Sequence, residues 1–339
     1  MTRLDDKLAR IHAGRYTPRD FIIADAKDPD MGPSLSATGP KRDHEGNWTR
    51  YRTRAEFIDS IQAIVEQDVV DVMLTSVSSL ERLRERGVFR NSQVKPAIRA
   101  NDTTDIWVMR GATYSQRPSR PFRSASLSRV MHNSPVPKPG AAVYLTDLGL
   151  YSITFTHDLD ADVAALEAFR DFRADAGQEG FTYFLEVFNS NVPHGIAPDV
   201  YPHWFNDVIL RALAGLTDAE RPLFLKIPYN GAKAMEELAS FDPSLVVGVL
   251  GGGAGTTRDT FELLHQAEKY GARVALFGRK INLAESPLDI VACMRRVVDG
   301  EASPEEAVRA YHGSLQRHGL RPQRPLDDDL RITEAVLGA

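Results

Sequence analysis

The sequence predicts an α/β chain folded as a (β/α)8 barrel of the TIM type. Three observations lead there. Short β-rich runs alternate with segments of helical period from residue 20 onward, the runs number eight, and they span roughly 260 residues, close to the ~250 of an eight-fold barrel. An open doubly wound sheet is the other architecture that such alternation allows. In both, ligands bind beyond the carboxyl ends of the strands.

The eight runs are "DFIIAD" (20–25), "VVDVMLTS" (69–76), "KPAIRAN" (95–101), "LYSITFT" (150–156), "FTYFLEVF" (181–188), "PLFLKI" (222–227), "SLVVGVLG" (244–251) and "ARVALFG" (272–278). After the first, Thr53 and Glu56 form a capping box, and Phe57, Ile58, Ile61, Ile64 and Val65 share one helical face. Beyond the fourth, Val163, Leu166 and Phe169 form a stripe on a helix expected to end at Gly177. The helix after the seventh ends at Gly271. Residues 102–149 carry "SQRPSRPFRS" and "NSPVPKPG", whose prolines break helical period, so the third strand is followed by an inserted loop region. Arg110, Arg117, Arg120 and Arg123 crowd that loop and read as a solvated charge run, with a basic lid as the alternative. An added helix occupies about 303–318. With the barrel at about 20–300 and no internal repeat, the expectation is one domain over 1–339.

A 42% hydrophobic content supports a sizeable core, and a net charge of −5 from 41 basic and 46 acidic residues gives no footprint for nucleic acid. The start "MTRLDDKLARIHAG" lacks the apolar stretch of a secretion signal, and no run reaches the ~18 apolar residues needed to cross a bilayer. The single cysteine, Cys293, reads as part of a buried helix face and permits no internal disulfide. Together these suggest a cytoplasmic protein.

Lys226 stands at the carboxyl end of the sixth run, among apolar neighbours. It is either a rim lysine with its ammonium in water or a desolvated amine able to attack a carbonyl. Glu186, in "YFLEVFN", ends the fifth run and is a candidate for moving protons or binding hydroxyls; a charge within an apolar run also needs a partner, for which Lys226 is available. "VLGGGAGTTRDT" places Gly251, Gly252, Gly253 and Gly255 between a strand and a helix, as a phosphate cradle or as a plain tight turn. Gly278 and Arg279 close the eighth run, beside the common phosphate position of this architecture, although Arg279 also suits a surface ion pair. Arg99 and Asn101 fall near the end of the third strand, where Arg99 suits an anionic group of a substrate. "HEGN" at 44–47 is only a fragment of a zinc-helix motif and lacks its second histidine, so no metal site is expected.

The ordered set "LFLKIPY", "VVGVLGGG", "ARVALFGRKI" and "SPLDIVACMRRVVDGEASPEEAVRAY", within residues 221–315, resembles the class I (Schiff-base) aldolases of the bacterial and archaeal fructose-bisphosphate aldolase group, within the deoxyribose-phosphate aldolase-like barrels. That resemblance implies a Schiff base on Lys226 and phosphate binding by Gly252, Gly253, Gly278 and Arg279. It also implies a metal-independent reaction without cofactor, a phosphorylated ketose or keto acid as substrate, and a homo-oligomer. The thiolase branch of the same barrels implies acyl transfer as an alternative, and a non-catalytic sugar-phosphate-binding barrel is a third reading. Members of the group often end the first strand in Asp-His-Gly. Here "FIIADAKDPDMG" keeps Asp25 as a carboxylate for hydroxyls or the amine and has Lys27 two places on. Lys27 either pairs with Asp25 or Asp28 or adds a second cation near the mouth. No tyrosine falls where the group keeps its proton donor in the fourth strand, so His157, just past that strand, is the expected substitute, against the plainer reading of an exposed loop histidine.

Overall fold

A computed structural model of the chain describes residues 2–43, 45–136, 138, 140–251 and 255–338. Eight parallel strands form the barrel: β1 (Ile22–Lys27), β2 (Val72–Thr75), β3 (Lys95–Arg99), β4 (Leu148–Thr154), β5 (Thr182–Phe188), β6 (Leu225–Lys226), β7 (Gly248–Leu250) and β8 (Val274–Phe277). Hydrogen-bonded neighbours run β6-β5-β4-β3-β2-β1-β8-β7. The ring closes where Ile227 donates its amide to Gly248 O at 2.9 Å and accepts from Leu250 N at 2.8 Å. Gly248 permits this seam, because a Cβ there would lie 2.5 Å from Leu225 O.

Strand alternation sorts the side chains into two layers. Ile22, Ala24 and Ala26 of β1, Val72 and Leu74, Ala97, Leu148 and Leu150, Phe184, Phe224, Val274 and Leu276 fill the interior. The small alanines of β1 share this interior with the Phe184–Phe224 stack, whose centroids are 4.6 Å apart. The other face of each strand packs under the helices.

The helix Arg54–Gln67 is capped as its sequence requires. Thr53 Oγ1 accepts from Glu56 N at 3.2 Å, Glu56 Oε2 accepts from Thr53 N at 2.8 Å, and the five expected apolar residues are buried. Leu159–Glu179 runs past Gly177 and stops at Gly180, which takes the left-handed φ of 69°. Its buried face is Ala161, Ala165, Phe169, Phe172 and Ala176, whereas Val163 and Leu166 are exposed. Here alanines were the informative residues, because a small side chain lets helix and sheet approach closely.

The inserted region contains a small hairpin, Asp102–Thr103 against Pro121–Phe122, and then a six-residue helix, Leu127–His132, that the prolines before it obscure. Thr154 donates to Asp105 at 2.9 Å, and Asn191 donates to Ser115 O and Arg117 O, so the insertion is fastened to the carboxyl ends of β4 and β5. Arg110, Arg117, Arg120 and Arg123 are exposed, and Arg123 pairs with Asp175 at 2.7 Å.

The helix Arg3–His12 stops the amino-terminal end of the barrel by placing Leu4 and Leu8 in the inner layer. Buried Asp71 holds it there, accepting from Arg3 Nε at 2.8 Å and Lys7 Nζ at 3.0 Å while also binding Ile23 N and Arg295. At the far end Ser303 and Glu306 cap Pro304–Arg317. The chain then turns back to the start of the helix Thr257–Lys269, where Asp329 accepts from Thr257 N at 2.8 Å and lies 2.9 Å from His312 Nε2. Cys293 is buried as expected, and burial pushes its thiol up to about 11. Among the described residues no helix is long and apolar enough to cross a membrane.

Candidate active site

Inward-facing positions at the carboxyl ends of the strands bring five polar side chains together, all almost fully buried: Asp28 just past β1, Arg99 on β3, Ser152 on β4, Glu186 on β5 and Lys226 on β6. Lys226 Nζ lies 2.5 Å from Glu186 Oε1. The other carboxylate oxygen, Oε2, accepts from Ser152 Oγ at 2.6 Å and from an Arg99 NH2 nitrogen at 3.2 Å. Arg99 also donates to Asp28 Oδ2 at 2.5 Å and to Ser152 Oγ at 2.9 Å. The cluster holds two cations and two carboxylates, so its charges balance without water.

Burial acts against charge on both Asp28 and Arg99. For Asp28 it is outweighed by the charges of Arg99 and Lys226, which hold the carboxyl below its usual range. For Arg99 it is outweighed by Asp28 and Glu186, which push the guanidinium above its ordinary value. Each of the three guanidinium nitrogens of Arg99 thus donates to a protein group, and the side chain braces two acids.

Asp25 and Lys27 are not in this cluster. With Ile22, Ala24 and Ala26 inside the barrel, alternation turns Asp25 and Lys27 to the opposite face. Both are buried and form a pair of their own, Nζ to Oδ2 at 3.1 Å, yet the angles miss a hydrogen bond at either oxygen or the ammonium. Burial lowers the Lys27 pKa against the pull of Asp25, and raises that of Asp25 to about 6. The strand runs two residues further than its apolar stretch suggests, so Asp28 takes the inward place that Asp25 was expected to hold.

This second pair supports a prediction. Lys27→Met strands a buried carboxylate and should cost about 3–5 kcal/mol at neutral pH, while Asp25→Leu combined with Lys27→Met should be neutral or stabilising. Denaturant melts compare them. The folded pKa of Asp25 exceeds its ordinary 3.8, so its stabilising contribution is complete below about that pH and is lost as pH rises through about 6. Asp25→Asn should therefore gain on the parent chain across that interval.

His157 also lies apart. It is exposed, takes a left-handed φ of 60°, places Nδ1 2.8 Å from His194 O and meets Trp204 edge-on at 5.6 Å. Asn101 is buried but serves the backbone, donating to Ser152 O at 2.8 Å and accepting from Ser152 N at 2.6 Å. It continues the β3–β4 ladder and so fixes Ser152 in the cluster. Sequence reasoning missed Asp28 and Ser152. The signal for Asp28 was the even spacing from Ala24 and Ala26, whereas Ser152 had none beyond its place in an apolar run.

At the ends of β7 and β8, Gly252 and Gly253 lie outside the described residues. Gly278 sits so close to β1 that a Cβ would be 2.8 Å from Ala26 O. Arg279 begins the short helix Arg279–Leu283 and is exposed. Next to it Lys280 donates to Gly255 O and Thr256 O, drawing the β7 loop toward the β8 loop. Burial, aided by the nearby Arg324 charge, lowers the Lys280 pKa to about 8.

No protein-family profile matches this chain, and no curated protein sequence does either. Solved structures do. An archaeal fructose 1,6-bisphosphate aldolase is similar over 88% of this chain and 99% of its own, with a TM-score of 0.59 at 14% identity. A Schiff-base-forming fructose-1,6-bisphosphate aldolase is similar over 87% and 99%, also with a TM-score of 0.59 at 14% identity. A Corynebacterium glutamicum protein is similar over 88% and 98%, with a TM-score of 0.57 at 16% identity. At such identities the likeness is one of architecture, and it agrees with the strand order in making this chain a (β/α)8 barrel.

Proposed function

We propose that the protein is a class I aldolase that makes or breaks a carbon–carbon bond in a phosphorylated ketose or keto acid through an imine on Lys226. The observation that carries the reading is the 2.5 Å approach of Lys226 Nζ to Glu186 Oε1 inside a charge-balanced cluster at the carboxyl end of the barrel. Two of the solved structures of similar architecture are aldolases, one of them Schiff-base-forming, which supports the same reading.

In this mechanism Glu186 accepts a proton from Lys226, and the free amine adds to the ketone carbonyl to form a carbinolamine. Glu186 returns the proton to the departing hydroxyl, water leaves and a protonated imine remains. A base then removes the proton of the hydroxyl on the far carbon of the bond to be cut, the one that becomes the aldehyde carbon. The bonding pair moves into the imine to give an enamine, and an aldehyde departs. Protonation of the enamine and hydrolysis of the imine restore the lysine. Asp28 and Ser152 are the neighbouring groups able to bind hydroxyls, and Glu186 is the group within reach for each proton step at nitrogen. Gly252, Gly253, Gly278 and Arg279 are proposed to receive the phosphate.

Borohydride reduction with a panel of phosphorylated ketoses and keto acids tests this. One member should leave a mass adduct on the peptide carrying Lys226. Binding without an adduct favours the non-catalytic alternative, and acyl transfer to a thiol acceptor favours the thiolase branch.

A further inference from the structure

A cleft of about 370 Å3 opens on the amino-terminal face of the barrel, at the opposite end from the Lys226–Glu186 cluster. Leu245 and Val246, which lead into β7, and Arg273, which directly precedes β8, line it together with the helix Arg3–His12 and the residues just after it, the helix Ala232–Phe241 and the end of the helix Thr257–Lys269. The volume lies within the roughly 300–1,000 Å3 of small-molecule sites. Its floor is apolar, since Leu245 and Val246 are buried and Ile11 lies beside them.

Arg273 is held in place by the protein itself. Its guanidinium lies 3.9 Å over the Tyr16 ring, and Nη1 donates to Ala272 O at 2.8 Å and to Glu268 O at 3.1 Å. Among the described residues Nε and Nη2 have no acceptor, so the edge of the fork that grips a carboxylate through two parallel bonds is open. Glu268 accepts from Tyr16 Oη at 2.9 Å. Lys269 supplies a second cation, 5.2 Å over the Tyr270 ring.

The acid of the lining is Glu236, on the helix Ala232–Phe241. Neither it nor Lys269 nor Arg273 forms an ion pair among the described residues, so cations on one wall and a carboxylate on another border the same space without meeting. A simple anion would satisfy one wall and be repelled by the other. Unpaired charges of both signs around an apolar floor are complementary to a ligand that carries both signs itself.

We propose that this cleft binds a free amino acid with an apolar side chain, its carboxylate on Arg273 and Lys269, its ammonium on Glu236 and its side chain over Ile11, Leu245 and Val246. Because the helix Arg3–His12 stops this end of the barrel with Leu4 and Leu8, the ligand has no path to Lys226 and is an effector, not a reactant. The site stands whether or not Lys226 forms an imine.

Calorimetric titration of the full chain with L-leucine, L-methionine and L-phenylalanine tests the proposal, each beside its analogue lacking the ammonium and its analogue lacking the carboxylate. One of the three should bind at least about tenfold more tightly than both of its analogues. Glu236→Gln should bring that amino acid down to the affinity of its ammonium-free analogue and leave the analogue unchanged, and Arg273→Gln should weaken both by at least about tenfold. Lys226→Met should change neither. Glu236 is exposed, so the fold should survive its replacement. Absence of binding by all three amino acids, an analogue that binds as well as its parent, or an unchanged affinity in Glu236→Gln would overturn the proposal.

Discussion

Lys226→Met should abolish the borohydride adduct and lower kcat/KM by on the order of 10^4-fold, while the protein stays folded. The first part follows from the mechanism, since thioether sulfur cannot condense with a carbonyl and no other group supplies the electron sink. The second part follows from the cluster. Removing the ammonium leaves Glu186 with its Arg99 contact at 3.2 Å and its Ser152 contact at 2.6 Å, so the carboxylate is not stranded. Methionine also fills nearly the same apolar sleeve as the lysine stem. Glu186→Gln should slow turnover by about 10^2–10^4-fold, because it keeps the hydrogen-bonding shape but cannot shuttle protons. Cleavage that persists in Lys226→Met would remove this lysine from the chemistry.

Arg99→Leu should lower stability by about 3–5 kcal/mol, with a fall in Tm on the order of 10 °C. One guanidinium is shared by Asp28 and Glu186, so its loss leaves two buried carboxylates facing each other with only Lys226 between them. Arg99→Lys should recover part of this loss, since it restores charge but not the fork that reaches Asp28, Ser152 and Glu186 together. A residue that only grips a substrate anion would behave differently, with a raised KM and an unchanged Tm. Thermal melts and steady-state kinetics on the same preparations separate the two.

The eight strands were legible because each is a short apolar run between turn signals, and all eight are present. Which face each residue takes was not legible for β1. "FIIADAK" is buried along its whole length on both sides, so no polar alternation marks the phase. An apolar stretch that ends at Asp25 drew attention to that carboxylate, whereas the inward place at this end of the strand belongs to Asp28. Lys226 and Glu186 could be read because a charge inside such a run needs a partner, and they are that partnership. Arg99 was visible as a residue but not as a brace, since its acids come from β5 and from the turn after β1. The histidine past β4 is turned outward by a left-handed backbone angle that sequence does not announce.

Asp71 joins Arg3 and Lys7 of the first helix to Arg295 of a helix near the other end of the chain. The clasp therefore spans 224 residues between Asp71 and Arg295, so its last contact needs the helix Pro287–Val298 in place, and sealing this end of the barrel is a long-range event, of the kind that slows folding.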